Sequence, residues 1–92
     1  MWRYQAVYRK IVGGDSESIE YSICEVYLDE DGKLEGSTES PTMTPHGDTF
    51  SELMDDLKMM LEDASKWKAV DFDNMQAGMV FERINNEQEL GT

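Results

Sequence analysis

The stretch TFSELMDDLKMMLEDASKW, residues 49–67, decides the fold class because it predicts one long amphipathic helix. Thr49 and Glu52 fit a capping box, in which the Thr49 hydroxyl accepts from the Glu52 N–H and the Glu52 carboxylate reaches back to the Thr49 N–H. Apolar residues then recur every three or four positions as a single stripe, made of Phe50, Leu53, Met54, Leu57, Met60, Leu61, Ala64 and Trp67. We expect this stripe to lie across a sheet, so that Leu57→Ala at its centre would cost about 2–5 kcal/mol.

Upstream of the helix, the sequence predicts strands. Residues 2–12 alternate between apolar and polar, and an aromatic inward face is expected to consist of Trp2, Tyr4, Ala6 and Tyr8. Residues 13–16 supply a turn, and a second strand follows over 19–28. Asp31-Gly32 is a hairpin signal that leads to a shorter third strand over 33–40.

The second strand carries apolar residues on both of its faces. Ile19, Tyr21 and Ile23 share one parity, whereas Cys24, Val26 and Leu28 share the other. This pattern favours either a bulge near Cys24-Glu25 or a strand that is covered on both faces. Both alternatives remain open from the sequence.

The segment after Trp67 contains short apolar pieces that need a surface to cover. Residues 70–84 can cover either their own sheet or that of a neighbour, and residues 85–92 are expected to form a flexible C-terminal tail. The predicted fold class is α+β: an antiparallel sheet of three or four strands with one long helix on one face, in β-β-β-α order, plus the short C-terminal segment. Residues 1–84 form one domain in this prediction.

Composition excludes several classes of function. Of the 92 residues, 20 are acidic and 8 are basic, which gives a net charge of −12 and argues against direct nucleic-acid binding. The three bases at the start, Arg3, Arg9 and Lys10, are expected to face an acidic second strand. The single cysteine, Cys24, and the lack of a long apolar run predict a cytoplasmic protein without membrane association.

The candidate chemical sites are few. Asp29-Glu30-Asp31-Gly32 resembles the centre of a calcium loop, but aligning Gly32 with the loop glycine puts Tyr27 and Thr38 at ligand positions, so a hairpin turn is expected. His46 is the only histidine, and Cys24 lies in mid-strand, where cysteine is usually a core residue. The sequence therefore predicts no catalytic residues, no metal and no cofactor.

Apolar residues left over by one helix on one sheet predict an interface with a partner. On the far sheet face, on the opposite side of the helix and in the C-terminal segment, the predicted interface residues are Val7, Ile11, Val26, Met59, Phe72, Met79 and Phe81.

Two family resemblances accompany these patterns. Residues 3–72 resemble a family of short uncharacterised bacterial proteins, some of them encoded on integron gene cassettes, through residues 21–34 and 37–41, Gly47-Asp48-Thr49, Glu52-Leu53, Asp56-Leu57, Met60-Leu61 and Val70-Asp71. Where that family usually has tryptophan in its third strand, this chain has Ser37. The β-β-β-α order and the helix start at residues 47–53 are also similar to the HicB-like antitoxin domain. That resemblance implies binding of a small basic toxin.

The function predicted from the sequence is a non-catalytic, acidic protein–protein interaction module that forms a homodimer. One alternative is a HicB-like antitoxin-type inhibitor of a small basic protein. The other is a small-ligand binder or enzyme with a site in the His46 loop, near Tyr27 and Asp48.

Overall fold

A long two-stranded hairpin forms the centre of the sheet. The computed structural model describes residues 1–84, so the predicted tail, residues 85–92, lies outside the described residues. Strand β1 (Trp2–Gly13) and strand β2 (Ser16–Leu28) pair antiparallel from end to end. Gly14 lies in the connecting turn with a φ of 59°, a left-handed conformation that glycine adopts without steric cost.

Two shorter strands and one helix complete the α+β fold. Strand β3 (Leu34–Ser37) pairs antiparallel with β2, and helix α1 spans Phe50–Lys66. Strand β4 (Val70–Asp71) pairs parallel with β1 and is followed by a single 3₁₀ turn at Phe72–Asn74. The sheet order is β3-β2-β1-β4. The predicted order of three strands and a helix is confirmed, and the sheet has the fourth strand that the sequence left open.

The open question about β2 is answered by its register with β1, which contains no bulge at Cys24-Glu25. The pairing of β2 with β1 continues without a shift through Cys24 and Glu25, and the register of β2 shifts between Tyr27 and Leu28, where it pairs with β3. Even-numbered residues of β1 face α1, and odd-numbered ones face the C-terminal segment. Cys24, Val26 and Leu28 are buried on the side of the C-terminal segment, whereas on the helix side Ile23 is half-buried and Ile19 and Tyr21 are exposed.

Helix α1 begins as the sequence predicts, with one difference in the cap. The Thr49 hydroxyl accepts from the Glu52 N–H at 3.1 Å, but the Glu52 carboxylate accepts from the Asp48 N–H at 2.9 Å instead of the Thr49 N–H. Gly47 lies so close to the first turn that an added Cβ would be 2.3 Å from the Leu53 nitrogen. The entry to the helix therefore requires glycine at this position.

The main core lies on the sheet face opposite α1. Its buried members are Val7, Cys24, Val26, Leu28, Leu34 and Phe81, and the partly buried residues packed against them are Trp67, Val70, Phe72, Met75 and Met79. The segment over residues 67–84 is held at both ends of this face, because Val70 pairs with Val7 and the Leu34 N–H donates to the Met79 carbonyl. Residues 70–84 thus cover the sheet of their own chain.

Arg3 is part of this covered face, contrary to the expectation that it faces an acidic strand. Its guanidinium lies 4.3 Å from the Trp67 ring centroid and 4.8 Å from that of Phe81, and it donates to the Gln5 side-chain oxygen at 2.6 Å. Burial lowers the pKa of Arg3 to about 10, an effect that the nearby Asp63 partly opposes. Arg9 lies opposite Glu20 in the β1–β2 register, as expected, and its guanidinium donates to the Asp73 carboxylate.

The prediction that the whole helix stripe packs on the sheet is wrong. Met60 is the one buried residue of α1, with Leu53 and Ala64 half-buried beside it. Phe50, Met54, Leu57 and Leu61 remain exposed. No helix within residues 1–84 has the length and apolar character needed to cross a bilayer.

Candidate functional site

The first part of the candidate site is a projecting hairpin, which we call the arm and define as residues 9–20. Every residue of the arm is exposed, because α1 and residues 67–84 both lie nearer the other end of the strands. Val12 and Ile19 lie on the helix side of the sheet, on the same face as Tyr8 and Tyr21. Val12 is 75% exposed. An isolated two-stranded ribbon is at best marginally stable in water, so packing against another surface would stabilise the arm.

The second part is the exposed side of α1, which we call the helix wall and define as Phe50, Met54, Leu57 and Leu61. Phe50 is 77% exposed and Leu61 is 68% exposed. At about 100° per residue, the wall is centred roughly 90° around the helix from the buried Met60. The helix therefore has two apolar sides: a narrow one on its own sheet and a wider one in solvent.

A groove lies between the helix wall and the part of β2 that directly follows the arm. Tyr21 and Ile23 of β2 line it on one side, and Leu57 and Leu61 line it on the other. Its volume is about 460 Å³. We refer to the arm residues Val12 and Ile19, the adjacent Tyr21 and the helix wall together as the open surface.

The open surface is large for a small protein. Its side chains are between 41% and 77% exposed. Scaled by the roughly 150–250 Å² of a large side chain, this is on the order of 800 Å². The largest apolar patch of a typical monomer is about 300–600 Å², whereas each partner of a standard interface contributes about 800 Å². The area fits an interface better than an ordinary surface.

A separate recess lies beside the His46 loop. It has a volume of about 460 Å³, and Trp2 and Tyr4, whose rings are perpendicular at 5.3 Å, form one wall. Four carboxylates also line it, from Glu25, Glu52, Asp55 and Asp56. The character of the recess is aromatic and acidic.

Asp56 is the best-held carboxylate of the recess. It accepts hydrogen bonds from the Tyr4 hydroxyl and from the His46 backbone N–H. These two donors hold the pKa of Asp56 below its usual value, the Tyr4 hydroxyl having the larger effect. Burial and the hydrogen bond to Asp56 raise the pKa of Tyr4. This pair ties α1 to β1 and fixes the floor of the recess.

Two other features that the sequence singled out, Cys24 and the acidic turn at Asp29, have structural roles. Cys24 is fully buried, and burial raises the pKa of its thiol to about 11, which disfavours the reactive thiolate. The Asp29 carboxylate accepts from the N–H groups of Asp31 and Lys33, so it closes the β2–β3 turn. Within residues 1–84, no group of three or more potential ligand side chains is placed to hold a metal ion.

The seven predicted interface residues divide into three groups. Val7, Val26 and Phe81 are buried in the chain's own core, and Phe72 and Met79 are half-buried against it, so these five are core residues instead of an available interface. The physical reason is that residues 67–84 already cover that sheet face. Ile11 is exposed on the arm, and Met59 is exposed on the recess side of α1.

Sequence reasoning missed the helix wall, although a signal for it was present. Phe50, Met54, Leu57 and Leu61 are separated by four, three and four residues, the spacing of a coiled-coil seam. A stripe about 140° wide exceeds what one sheet contact buries. The excess width could have identified two apolar sides.

Comparisons of the chain with protein-family models, with curated proteins and with solved structures give no match.

Proposed function

We propose that this chain is a non-catalytic protein–protein interaction module that acts as a homodimer through the open surface. The observation that carries the proposal is the exposure of the helix wall and of the arm on the same side of the sheet. Burial of apolar area stabilises association by roughly 25 cal/mol per Å² before the entropic costs are subtracted. A surface of this size is sufficient for a stable dimer of a small domain.

The molar mass in solution tests the proposal. The wild-type chain is expected to have the mass of a dimer by light scattering at micromolar concentration, and Leu61→Asp is expected to give a folded monomer because a buried carboxylate would oppose association. Met59→Asp places the same charge on the other side of α1 and is the matched control. A monomeric wild type would refute the proposal. Dissociation by Met59→Asp alone would move the interface away from the open surface.

Salt separates this proposal from the antitoxin-type alternative. Two copies with a net charge of −12 each repel one another, so the dimer should tighten when the salt concentration rises from about 50 to 500 mM. A complex with a small basic partner would weaken over the same range, because its attraction is screened. The antitoxin-type function therefore stays a distinct proposal with an opposite salt dependence.

The recess beside the His46 loop supports a second candidate, the binding of a small cationic ligand. Its wall offers an aromatic pair, and its lining includes four carboxylates, a combination suited to an alkylammonium or guanidinium group. Titration with N-acetyl-lysine methyl ester, followed by tryptophan fluorescence, tests it. Saturable binding that Asp55→Asn weakens and Glu30→Gln leaves unchanged would support the candidate. A linear response would exclude it.

A further inference from the structure

We infer that the helix wall is covered by helix α1 of a second copy, which runs antiparallel to the first, with Phe50 of each copy seated in the groove of the other. This inference rests on the proposed homodimer and specifies which segment of the second copy meets which residues. Three features of the described residues support it: the spacing of the wall, the distribution of charge along α1, and the position of the groove.

The spacing of the wall favours a helix as the occupant. Phe50, Met54, Leu57 and Leu61 follow the a and d positions of a heptad, and Ala64 continues the series. A seam of this kind matches the ridges of another helix along its length. A strand or a flat sheet would meet only part of it, because the side chains of a strand repeat at a different interval.

The charge along α1 favours the antiparallel direction. Within α1, residues 50–57 carry three acids and no base, whereas residues 58–66 carry two lysines and two acids. Parallel helices would place the two acidic halves side by side. Antiparallel helices place each acidic half beside the half that carries Lys58 and Lys66, and they also oppose the two helix dipoles.

The groove offers a binding place for Phe50, the exposed aromatic residue at one end of the wall. A two-fold axis between Met54 and Leu57 brings Phe50 of one copy opposite Leu61 of the other. Leu61 lines the groove together with Tyr21 and Ile23, and the groove volume of about 460 Å³ is ample for a phenyl ring. The contact occurs twice in the dimer and extends each interface onto the arm.

Chemical cross-linking tests the arrangement. Phe50→Cys and Leu61→Cys are prepared separately. Three samples are treated with a short bis-maleimide: each variant alone, and an equal mixture of the two. Cys24 is fully buried, so the introduced thiols are the accessible ones. In the antiparallel dimer, the two copies of position 50 are about 16 Å apart, from a rise of 1.5 Å per residue. Only the mixture should therefore give a cross-linked dimer.

Each other outcome has a defined meaning. Cross-linking of Phe50→Cys alone would indicate parallel helices and overturn the inference. A dimer by light scattering without any cross-link would place the interface elsewhere, for example along the edges of the arms, and would overturn the inference while leaving the homodimer intact. A monomeric wild type would refute both. If either cysteine variant is itself monomeric, a spin label on the exposed Lys66→Cys replaces the pair. The two labels should be about 30 Å apart in the antiparallel dimer, and a separation below about 20 Å would indicate parallel helices and overturn the inference.

Discussion

The two faces of the sheet differ in how completely the chain covers them. On one face, residues 67–84 enclose Val7, Cys24 and Val26, and the guanidinium of Arg3 lies between two aromatic rings. On the other face, α1 covers only the inner end of the strands, and both the arm and the helix wall stay in solvent. The long helix is the element most evident from the sequence, but it covers less of the sheet than the irregular segment that follows it.

The largest expected effect is the loss of stability when a core residue of the covered face is truncated, compared with a truncation in the helix wall. Phe81→Ala should lower the free energy of unfolding by about 3–5 kcal/mol, because it leaves a cavity in the enclosed core. Leu57→Ala in the helix wall should cost less than about 1 kcal/mol in the monomer, since Leu57 is already 41% exposed. Urea unfolding in a Leu61→Asp background, which keeps both variants monomeric, measures the two costs. Equal costs would contradict the contrast between the faces.

Arg3→Ala tests whether a buried cation holds the covered face together. The substitution removes two ring contacts and leaves the side-chain oxygen of the fully buried Gln5 without its Arg3 donor. The expected loss is about 2–3 kcal/mol from the combined contacts and the unpaired oxygen. Arg3→Lys keeps the charge without the planar guanidinium, so it should fall between wild type and Arg3→Ala in urea unfolding. Full recovery by lysine would show that charge alone matters.

Tyr4→Phe weakens the link between α1 and the sheet on the open side. Its loss should be about 1–2 kcal/mol at neutral pH, because Asp56 loses its strongest donor. Since these donors lower the folded-state pKa of Asp56, their stabilisation is present above the ordinary carboxyl pKa and is lost as the pH falls through the folded pKa. The gap between wild type and Tyr4→Phe should therefore narrow at about pH 3, as measured by urea unfolding. A constant gap would show that Asp56 is not the group involved.

The smallest effect is expected at the edge between the two faces. Arg9→Gln removes an exposed ion pair with Asp73, whose bonds are 2.8 and 3.1 Å long. Exposed pairs contribute little, so the melting temperature should fall by no more than a few degrees. A salt titration of the wild type gives the same comparison, because screening weakens an exposed pair. A large drop would mean that the edge strand β4 depends on this pair.

Several elements were predictable from local patterns. The alternation of residues 2–12, the glycine at 14 and the cap at Thr49 each have a short-range cause, and the corresponding strand, turn and helix start are present. The role of Asp29 as a turn residue followed from ligand positions that lack carboxylates. The interface residues were wrong on the far face because Val7 and Val26 are apolar in sequence whether a partner or residues 67–84 cover them.

The sequence by itself determined the element types and the two-sided apolar pattern of β2, since hydrophobic period and capping act within a few residues. Only the tertiary structure decided which side of each element is enclosed. The path of residues 67–84 under the sheet depends on contacts between distant residues, such as the Leu34 N–H and the Met79 carbonyl. The orientation of α1, which buries Met60 and exposes Leu61, depends on Tyr4, Asp56 and Asp63 across the interface with β1. Local periodicity marks both residues as apolar, but their burial is settled by long-range packing.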